Sequence, residues 1–204
     1  MKKIDKSADK VFFTSDLHFG HEWIISFNQR PYKSVEQMDD ELIKNWNQTV
    51  PKDGIVFVLG DIGYTDDKRI IEIFNQLHGE KILIKGNHDW DYYKEETLNS
   101  LFKEVYDLLF LRVQDYNHSV YHYMVLCHYP MFDWQNSYKG TWQLFGHIHT
   151  RRLKEFQTVK SRLFSTQYDV GVDNNQFHPI SCREINEIIE KQKKNPLFKQ
   201  SNYY

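Results

Sequence analysis

Residues 82–89 read Ile-Leu-Ile-Lys-Gly-Asn-His-Asp, a short apolar run that ends at a glycine and is followed by three polar side chains. A short apolar run bounded by glycine is typical of a strand that is buried on both faces. In open α/β sheets, ligand sites form beyond the carboxyl ends of the strands. The segment therefore predicts a parallel strand that delivers Asn87, His88 and Asp89 to a functional site.

Four other parts of the chain repeat this arrangement. Further apolar runs occupy 11–14, 55–59, 123–126 and 142–145, and each is followed within a few residues by aspartate or histidine. Between the early runs, 35–49 and 68–77 have apolar residues at intervals of three and four, which predicts helices, and 184–193 predicts a last helix. Alternating strands and helices predict an α/β fold in which mixed β-sheets are flanked by helices.

The side chains at the strand ends carry only nitrogen and oxygen donors, and they are Asp16, His18, Asp61, Asn87, His128, His147 and His149. If the backbone is extended there, side chains two residues apart point to the same side. Asp16 with His18, and His147 with His149, would then each present two ligands in one direction. A glycine precedes three of the seven residues, as expected where the backbone bends sharply beside an ion.

This donor set predicts two divalent metal ions. Seven candidate ligands are too many for one ion, and they suit two ions that share a bridging carboxylate. Imidazole with carboxylate favours manganese, iron, zinc, nickel or cobalt over calcium or magnesium, and we expect manganese. Two such ions, roughly 3.5–4 Å apart, generate a bridging hydroxide that can attack phosphorus in line. The predicted chemistry is hydrolysis of a phosphate ester.

The ordered blocks DxH, GD, GNHD, a lone H and GHxH, found between Asp16 and His149, resemble the calcineurin-like metallophosphoesterase superfamily. The early segment also resembles a small bacterial and phage branch of predicted phosphoesterases. The resemblance implies the fold of that superfamily, with one ion held by Asp16, His18 and His149 and the other by Asn87, His128 and His147. It further implies that Asp61 bridges the ions and that His88 is the general acid, oriented by Asp89.

The sequence says less about the substrate. Many phosphatases of the superfamily continue GD into a run that ends in Asp-Arg-Gly, whereas residues 60–64 read Gly-Asp-Ile-Gly-Tyr, which weighs against a phosphoprotein substrate. Arg30 and Arg151 are candidate phosphate clamps. His21 either faces the cleft or begins the next helix. We expect a phosphodiester or phosphomonoester such as a nucleotide derivative or an RNA end, with a nuclease on single strands and a non-catalytic binding scaffold as alternatives.

Two clusters allow a structural or a functional interpretation. The aromatic residues at 129, 132, 134 and 138 either stack on a base or pack a loop, and we favour the packed loop. The basic run at 151–154 either protects an edge strand or faces the substrate, and we favour the edge strand.

Length and composition fit one soluble globular domain. The 204 residues are 40% hydrophobic and 26% charged, and we expect a single domain over 1–204 with loose ends at 1–10 and 195–204. A net charge of −2 argues against a protein that coats DNA. The two cysteines, Cys127 and Cys182, are expected to be free thiols. The sequence has no stretch typical of a signal peptide and no apolar run long enough to cross a bilayer. We therefore expect a cytoplasmic protein with no membrane contact and no obligate protein partner.

Overall fold

The computed structural model describes residues 1–115, 119–150, 158–159 and 161–200. Within these ranges the strands are β1 Lys2–Ile4, β2 Val11–Thr14, β3 Ile55–Val58, β4 Glu80–Ile84, β5 Glu104–Tyr106, β6 Leu109–Asp115, β7 Val120–Leu126, β8 Trp142–Phe145, β9 Gln167–Asp169 and β10 Ile180–Ser181. The helices are α1 Glu22–Phe27, α2 Val35–Thr49, α3 Asp67–Phe74, α4 Asn87–Tyr92, α5 Glu95–Leu101 and α6 Cys182–Gln192. Short 3-10 helices lie at Ala8–Lys10 and Ser137–Lys139.

The strands form two mixed sheets of five strands each. The first sheet has the order β10-β2-β3-β4-β5, in which β2 to β5 run parallel and β10 pairs antiparallel with β2. The second has the order β1-β6-β7-β8-β9, in which only the β6/β7 pair is antiparallel. The predicted α/β architecture with mixed sheets is confirmed.

Two buried cores follow from the alternation of side chains along the strands. On β2, Phe13 joins the core between the two sheets, whereas its neighbour Phe12 joins the core beneath α1, α2, α3 and α5. Trp46 of α2 is fully buried in this outer core, and its indole nitrogen donates to the carbonyl oxygen of His78 at 2.9 Å. Helices therefore cover the outer face of the first sheet, while α6 packs against the core between the sheets.

The predicted helix at 35–49 is confirmed at both ends, and it is α2. Ser34 caps its start, because the side-chain oxygen of Ser34 accepts from the backbone nitrogen of Gln37 at 3.2 Å. Met38, Leu42 and Trp46 form its buried stripe. The following helix α3 begins after the capping residue Asp66 and ends at Phe74, earlier than the periodicity alone predicted.

The carboxyl ends of β2, β3 and β4 meet those of β7, β8 and β9 at one edge of the sandwich. Just past β2 and β9, Ser15 and Gly171 pair in an isolated parallel bridge, which joins the two sheets. The segments that follow these strands consequently face one another across a cleft, which is where the sequence places its polar side chains.

The chain ends are more ordered than the sequence predicted. Lys2–Ile4 pairs with β6, and Ala8 is fully buried. Near the other end Phe198 is buried and Lys199 forms a bridge with Phe164, while residues 201–204 lie outside the described part. The expectation of loose ends is therefore wrong for these segments, because backbone pairing and apolar burial hold them without helical or strand periodicity.

Two smaller expectations concern the thiols and the membrane. Both cysteines are free, Cys182 buried and Cys127 half-buried. Among the residues that the structure describes, no helix combines the length and the apolar character that crossing a bilayer requires.

Candidate metal centre

The first group of candidate ligands comprises Asp16, His18 and His149. One donor atom from each of these residues lies within 4.8 Å of the other two. Asp16 and His18 come just after β2 in the chain and are buried. His149, from the loop after β8, is partly exposed, and its Nε2 is 3.8 Å from the Asp16 Oδ1. The two sheets thus each contribute to one compact donor set.

The second group comprises Asp61, His128 and His147, whose donor atoms also lie within 4.8 Å of one another. The Nε2 of His128 is 3.5 Å from the Asp61 Oδ2 and 3.1 Å from the side-chain oxygen of Asn87. Asn87 therefore lies beside this group, in agreement with the sequence prediction. The structure brings all seven predicted ligands to one cleft.

Asp61 lies between the two groups. Its Oδ2 is 3.8 Å from the Nε2 of His18 in the first group and 3.5 Å from the Nε2 of His128 in the second. One carboxylate oxygen thus faces an imidazole nitrogen of each group, which is the position that a shared ligand would occupy.

The donor set fits divalent cations. The Nε2 of His18 is buried and, within the described part of the chain, has no hydrogen-bond partner. Leaving a buried polar nitrogen unpaired is unfavourable, and a cation would supply the missing partner. Burial and then the charge of Arg30 lower the pKa of His18 well below its ordinary value, so that its imidazole is in the neutral form that binds metals.

Hydrogen bonds outside the donor sets orient two of the imidazoles. The Nδ1 of His128 donates to the carbonyl oxygen of Leu59 at 2.7 Å, and the Nδ1 of His149 donates to the Asp173 Oδ2 at 2.7 Å. Each bond places the proton on Nδ1 and leaves the Nε2 lone pair directed at the site.

The backbone at these ligands is turned rather than extended. The φ angles are positive at Asp16, His18, Asp61, His147 and His149, with values between 45° and 70°. The two pairs of ligands at i and i+2 do converge, as predicted. They converge through left-handed turns, however, and the predicted extended backbone is wrong. Left-handed non-glycine residues store backbone strain, and such strain clusters at functional sites.

The glycines in the motifs serve two different purposes. Gly60 bends the chain before Asp61, with φ of +87°. Gly86 and Gly146 are instead needed for close packing, because an added Cβ would lie 2.4 Å from the Asp61 Oδ1 and 2.0 Å from the Ser15 Oγ, respectively. Of the three glycines, only Gly60 makes the sharp backbone bend that the sequence predicted.

A sequence profile of the calcineurin-like phosphoesterase family matches residues 9–151, well over half of the chain. The chain belongs to the calcineurin-like phosphoesterase family. An uncharacterized protein of Methanocaldococcus jannaschii is 34% identical over 189 residues, which cover 92% of this chain and 95% of the relative. The gene 66 protein of Mycobacterium phage L5 is 28% identical over 184 residues, covering 80% and 86%.

A solved structure supports the same assignment of fold. The Aquifex aeolicus protein AQ665, described as a protein of unknown function, superposes with a TM-score of 0.66 and 26% identity, covering 87% of this chain and 98% of its own. The resemblance drawn from the five motif blocks is confirmed at the level of family and fold. The two donor groups give this member of the family two candidate metal sites.

Asp89 does not orient His88, contrary to what the resemblance implied. Its carboxylate is fully buried and accepts from the backbone nitrogens of Asp61, Ile62 and Gly86 at 3.0, 3.0 and 2.8 Å. Burial raises the pKa of Asp89 to about 6, and these N–H bonds act in the opposite direction. Asp89 therefore ties the loop after β3 to the start of α4.

The Asp89→Asn substitution is expected to lower the free energy of unfolding by about 1–3 kcal/mol, because the amide NH₂ would face a backbone N–H and leave it unpaired. Denaturant unfolding measures this, and Asp91→Asn, an exposed change in the same helix, is the matched control. Since the loop also positions Asp61, metal content should fall as well. Wild-type stability together with slower protonation of the leaving group would instead restore the orienting role.

His88 and His21 lie at the mouth of the cleft. The His88 ring is partly exposed, with its Nε2 4.0 Å from the Asp61 Oδ2, while its backbone nitrogen donates to the Asp61 Oδ1 at 3.0 Å. His21 precedes α1, and its Nδ1 is 3.3 Å from the Nδ1 of His18. Both alternatives for His21 hold, because it stands directly before the first residue of α1 and its ring lines the cavity without capping the helix.

Arg30 cannot clamp a phosphate, and this prediction is wrong. Only 4% of Arg30 is exposed, and its Nε and Nη2 donate to Asp173 at 3.1 and 2.8 Å. Its other N–H groups donate to the carbonyl oxygens of Leu17 and Asp16 at 2.9 and 2.7 Å and to the Met38 Sδ at 3.5 Å. The guanidinium is fully used in holding the loop that carries Asp16 and His18. The other candidate clamp, Arg151, lies outside the described residues.

Two buried aspartates, Asp169 at the end of β9 and Asp173 four residues later, were not predicted from the sequence. Burial alone would raise the pKa of Asp173, but the hydrogen bond from His149 and the Arg30 charge lower it to about 2. Asp169 accepts from Thr150 and Gly171, which supports the loop after His149, and burial followed by the charge of Asp16 raises its pKa to about 6. The available signal was the sequence Asp-Val-Gly-Val-Asp at residues 169–173, in which two aspartates flank apolar residues and a glycine.

Asp173→Asn is expected to weaken one metal site about 10- to 100-fold and leave the other near its wild-type affinity, because the His149 imidazole would lose its charged partner. Calorimetric titration of chelator-treated protein with Mn²⁺ separates the two sites. Asp40→Asn, an exposed change on α2, is the control. Equal weakening of both sites would show that the substitution acts through general destabilisation.

Proposed function

We propose that this chain is a dinuclear-metal-dependent phosphoesterase that hydrolyses a phosphodiester or phosphomonoester of nucleotide type, such as a nucleotide derivative or an RNA end. The observation that carries the proposal is the position of Asp61, whose one oxygen faces a histidine of each donor group. A shared carboxylate is what a two-ion site requires. Manganese is the proposed ion, because the donors are imidazole, carboxylate and amide oxygen.

Two divalent ions, when bound, supply positive charge that neutralises phosphate oxygens and lowers the pKa of water. The chain's own residues hold and orient the reactants around them. Asp16, Asp61 and Asn87 would supply the oxygen ligands, and the imidazoles of His18, His128, His147 and His149 would supply the nitrogen ligands. His88, partly exposed at the mouth, can protonate the departing oxygen.

The size of the cleft supports a substrate of modest size. A cavity of about 510 Å³ is lined by donor residues, by both mouth histidines and by side chains of α1. Small-molecule sites commonly measure about 300–1,000 Å³. The cavity therefore suits a nucleotide or the end of a strand.

The direct test is a panel of mono- and bis-aryl phosphates, cyclic nucleotides and short oligonucleotides, assayed with Mn²⁺, Fe²⁺, Zn²⁺, Ni²⁺, Co²⁺ and Mg²⁺ after chelator treatment. We expect hydrolysis that requires added metal and a bound stoichiometry of two ions per chain. A protein that binds two ions yet hydrolyses no activated aryl ester would support the binding-scaffold alternative. Steep loss of oligonucleotide binding with salt would support the nuclease alternative.

A further inference from the structure

Helix α1 presents two exposed aromatic side chains at the mouth of the cleft. Trp23 is 79% exposed and Phe27 is 82% exposed, and both line the cavity that contains His18, Asp61 and His147. Residues four apart lie on the same face of a helix, with their Cβ atoms roughly 5–6 Å apart. The two rings therefore form one apolar wall beside the candidate metal ligands.

The two rings of this wall lie outside the buried core. Ile24, which is 5% exposed, anchors α1 in the outer core, whereas Trp23 and Phe27 leave most of their surface in water. Single exposed apolar residues are ordinary, but adjacent large rings beside a polar cavity mark a site of recognition. The wall is thus placed to contact a ligand that enters the cavity.

We infer that Trp23 and Phe27 form a stacking subsite for the base of a nucleotide whose phosphate lies at the metal ligands. This inference rests on the proposed phosphoesterase function and adds the residues that select the substrate. Rings recognise the face of a base and not its edge, so the subsite should tolerate all bases.

A second cavity beside the first offers an ammonium group to a ligand that extends beyond the aromatic wall. It measures about 370 Å³, shares Trp23 and Ser26 with the first cavity, and is also lined by Glu22, Lys33 and Ser34. An ammonium group beyond the stacking ring suits the next phosphate of a short strand. A free nucleotide would use the aromatic wall alone, whereas a strand end would use Lys33 as well.

The test compares two esters that share a leaving group, thymidine 5′-(p-nitrophenyl) phosphate and methyl p-nitrophenyl phosphate. In both, a water oxygen bonds to phosphorus, the bond to nitrophenolate breaks and the water proton passes to solvent. Trp23→Ala and Phe27→Ala should each raise KM for the thymidine ester about tenfold, leaving kcat and the methyl ester unchanged. Trp23→Phe should retain most of the preference.

Tyr121→Ala is the matched control, because Tyr121 is an exposed ring on β7, at the end of the strand far from His128. The α1 variants should keep the wild-type melting temperature, since exposed rings contribute little to packing. Tyr121→Ala also removes a contact with the Arg112 guanidinium, 4.5 Å from the ring centroid, so it serves as the control for KM alone. Equal KM changes for the two esters, or none for the thymidine ester, would overturn the inference.

A binding measurement separates this inference from the proposed function. Calorimetric titration of the Mn²⁺-loaded protein with thymidine 5′-monophosphate should show about tenfold weaker binding for Trp23→Ala even if neither ester is hydrolysed. Titration with a thymidine tetranucleotide distinguishes a free nucleotide from a strand end. Lys33→Ala should weaken binding of the tetranucleotide and leave binding of the monophosphate unchanged. A wild-type dimer that Phe27→Ala converts to monomers, with nucleotide binding unchanged, would show that the wall joins copies of the chain and would overturn the subsite.

Discussion

Asp61→Asn is expected to abolish turnover and to leave at most one ion tightly bound. The Asp61 Oδ2 is the atom that faces both donor groups, at 3.8 Å from the Nε2 of His18 and 3.5 Å from that of His128. An amide in its place removes the charge that would neutralise two cations. Because two-ion stabilisation is worth several kcal/mol in the transition state, the rate should fall by about 10³-fold or more.

The geometry makes this substitution a clean one to interpret. The Asp61 Oδ1 accepts from the His88 backbone nitrogen at 3.0 Å, and an asparagine oxygen can keep that bond. Loss of activity should therefore come with loss of metal rather than loss of fold. Metal analysis, melting temperature and turnover of bis(p-nitrophenyl) phosphate are measured together.

Asp91→Asn is the control for charge, because Asp91 is exposed on α4 and the substitution changes the net charge equally. It should retain two ions and the wild-type rate. A wild-type rate for Asp61→Asn would contradict the two-ion scheme, and unchanged binding of two ions would show that Asp61 is not shared.

The convergence of the seven ligands could be predicted because it depends on topology. Apolar runs identify the strands, parallel pairing aligns their carboxyl ends, and the residue after each strand must then lie at one edge. Nothing finer than strand order is needed for this step. The predicted convergence holds although the local backbone was predicted to be extended. The left-handed turns at Asp16 and His147 also direct their side chains into the cleft.

The partners of individual side chains could not be predicted in this way. Arg30 and Asp89 were expected at the reaction and are found holding backbone groups, which depends on turn geometry that residue spacing does not specify. Asp173 was missed because it follows a strand of three residues and has no histidine within four positions of it in the sequence. Its role appears only when α1, β8 and β9 are brought together.

The exposure of the aromatic side chains on α1 could not be predicted from the sequence either. Trp23 and Phe27 look like ordinary core aromatics next to Ile24 and Ile25, and six residues of helix define no clear apolar face. Only the packing of Ile24 into the outer core shows that the two rings point away from it. The position of α1 beside the metal ligands is likewise visible only in the folded structure.

His88→Ala is expected to slow esters with poor leaving groups by about 10²- to 10⁴-fold, while activated p-nitrophenyl esters lose little. A nitrophenolate departs without a proton, whereas an alkoxide requires one. The structure makes the variant selective, because the link from residue 88 to Asp61 runs through the backbone nitrogen and is kept in alanine. Metal content should consequently stay at the wild-type level.

The measurement is the ratio of rates for a dinucleotide and a p-nitrophenyl ester, taken in wild type, His88→Ala and His21→Ala. The second variant matters because the His21 ring lies 6.4 Å from the His88 ring, in the same cavity, and could protonate the same oxygen. If the ratio changes only in His21→Ala, the acid is His21. If both esters lose equally in His88→Ala, the ring contributes to binding or ion placement and no proton transfer needs to be assigned to it.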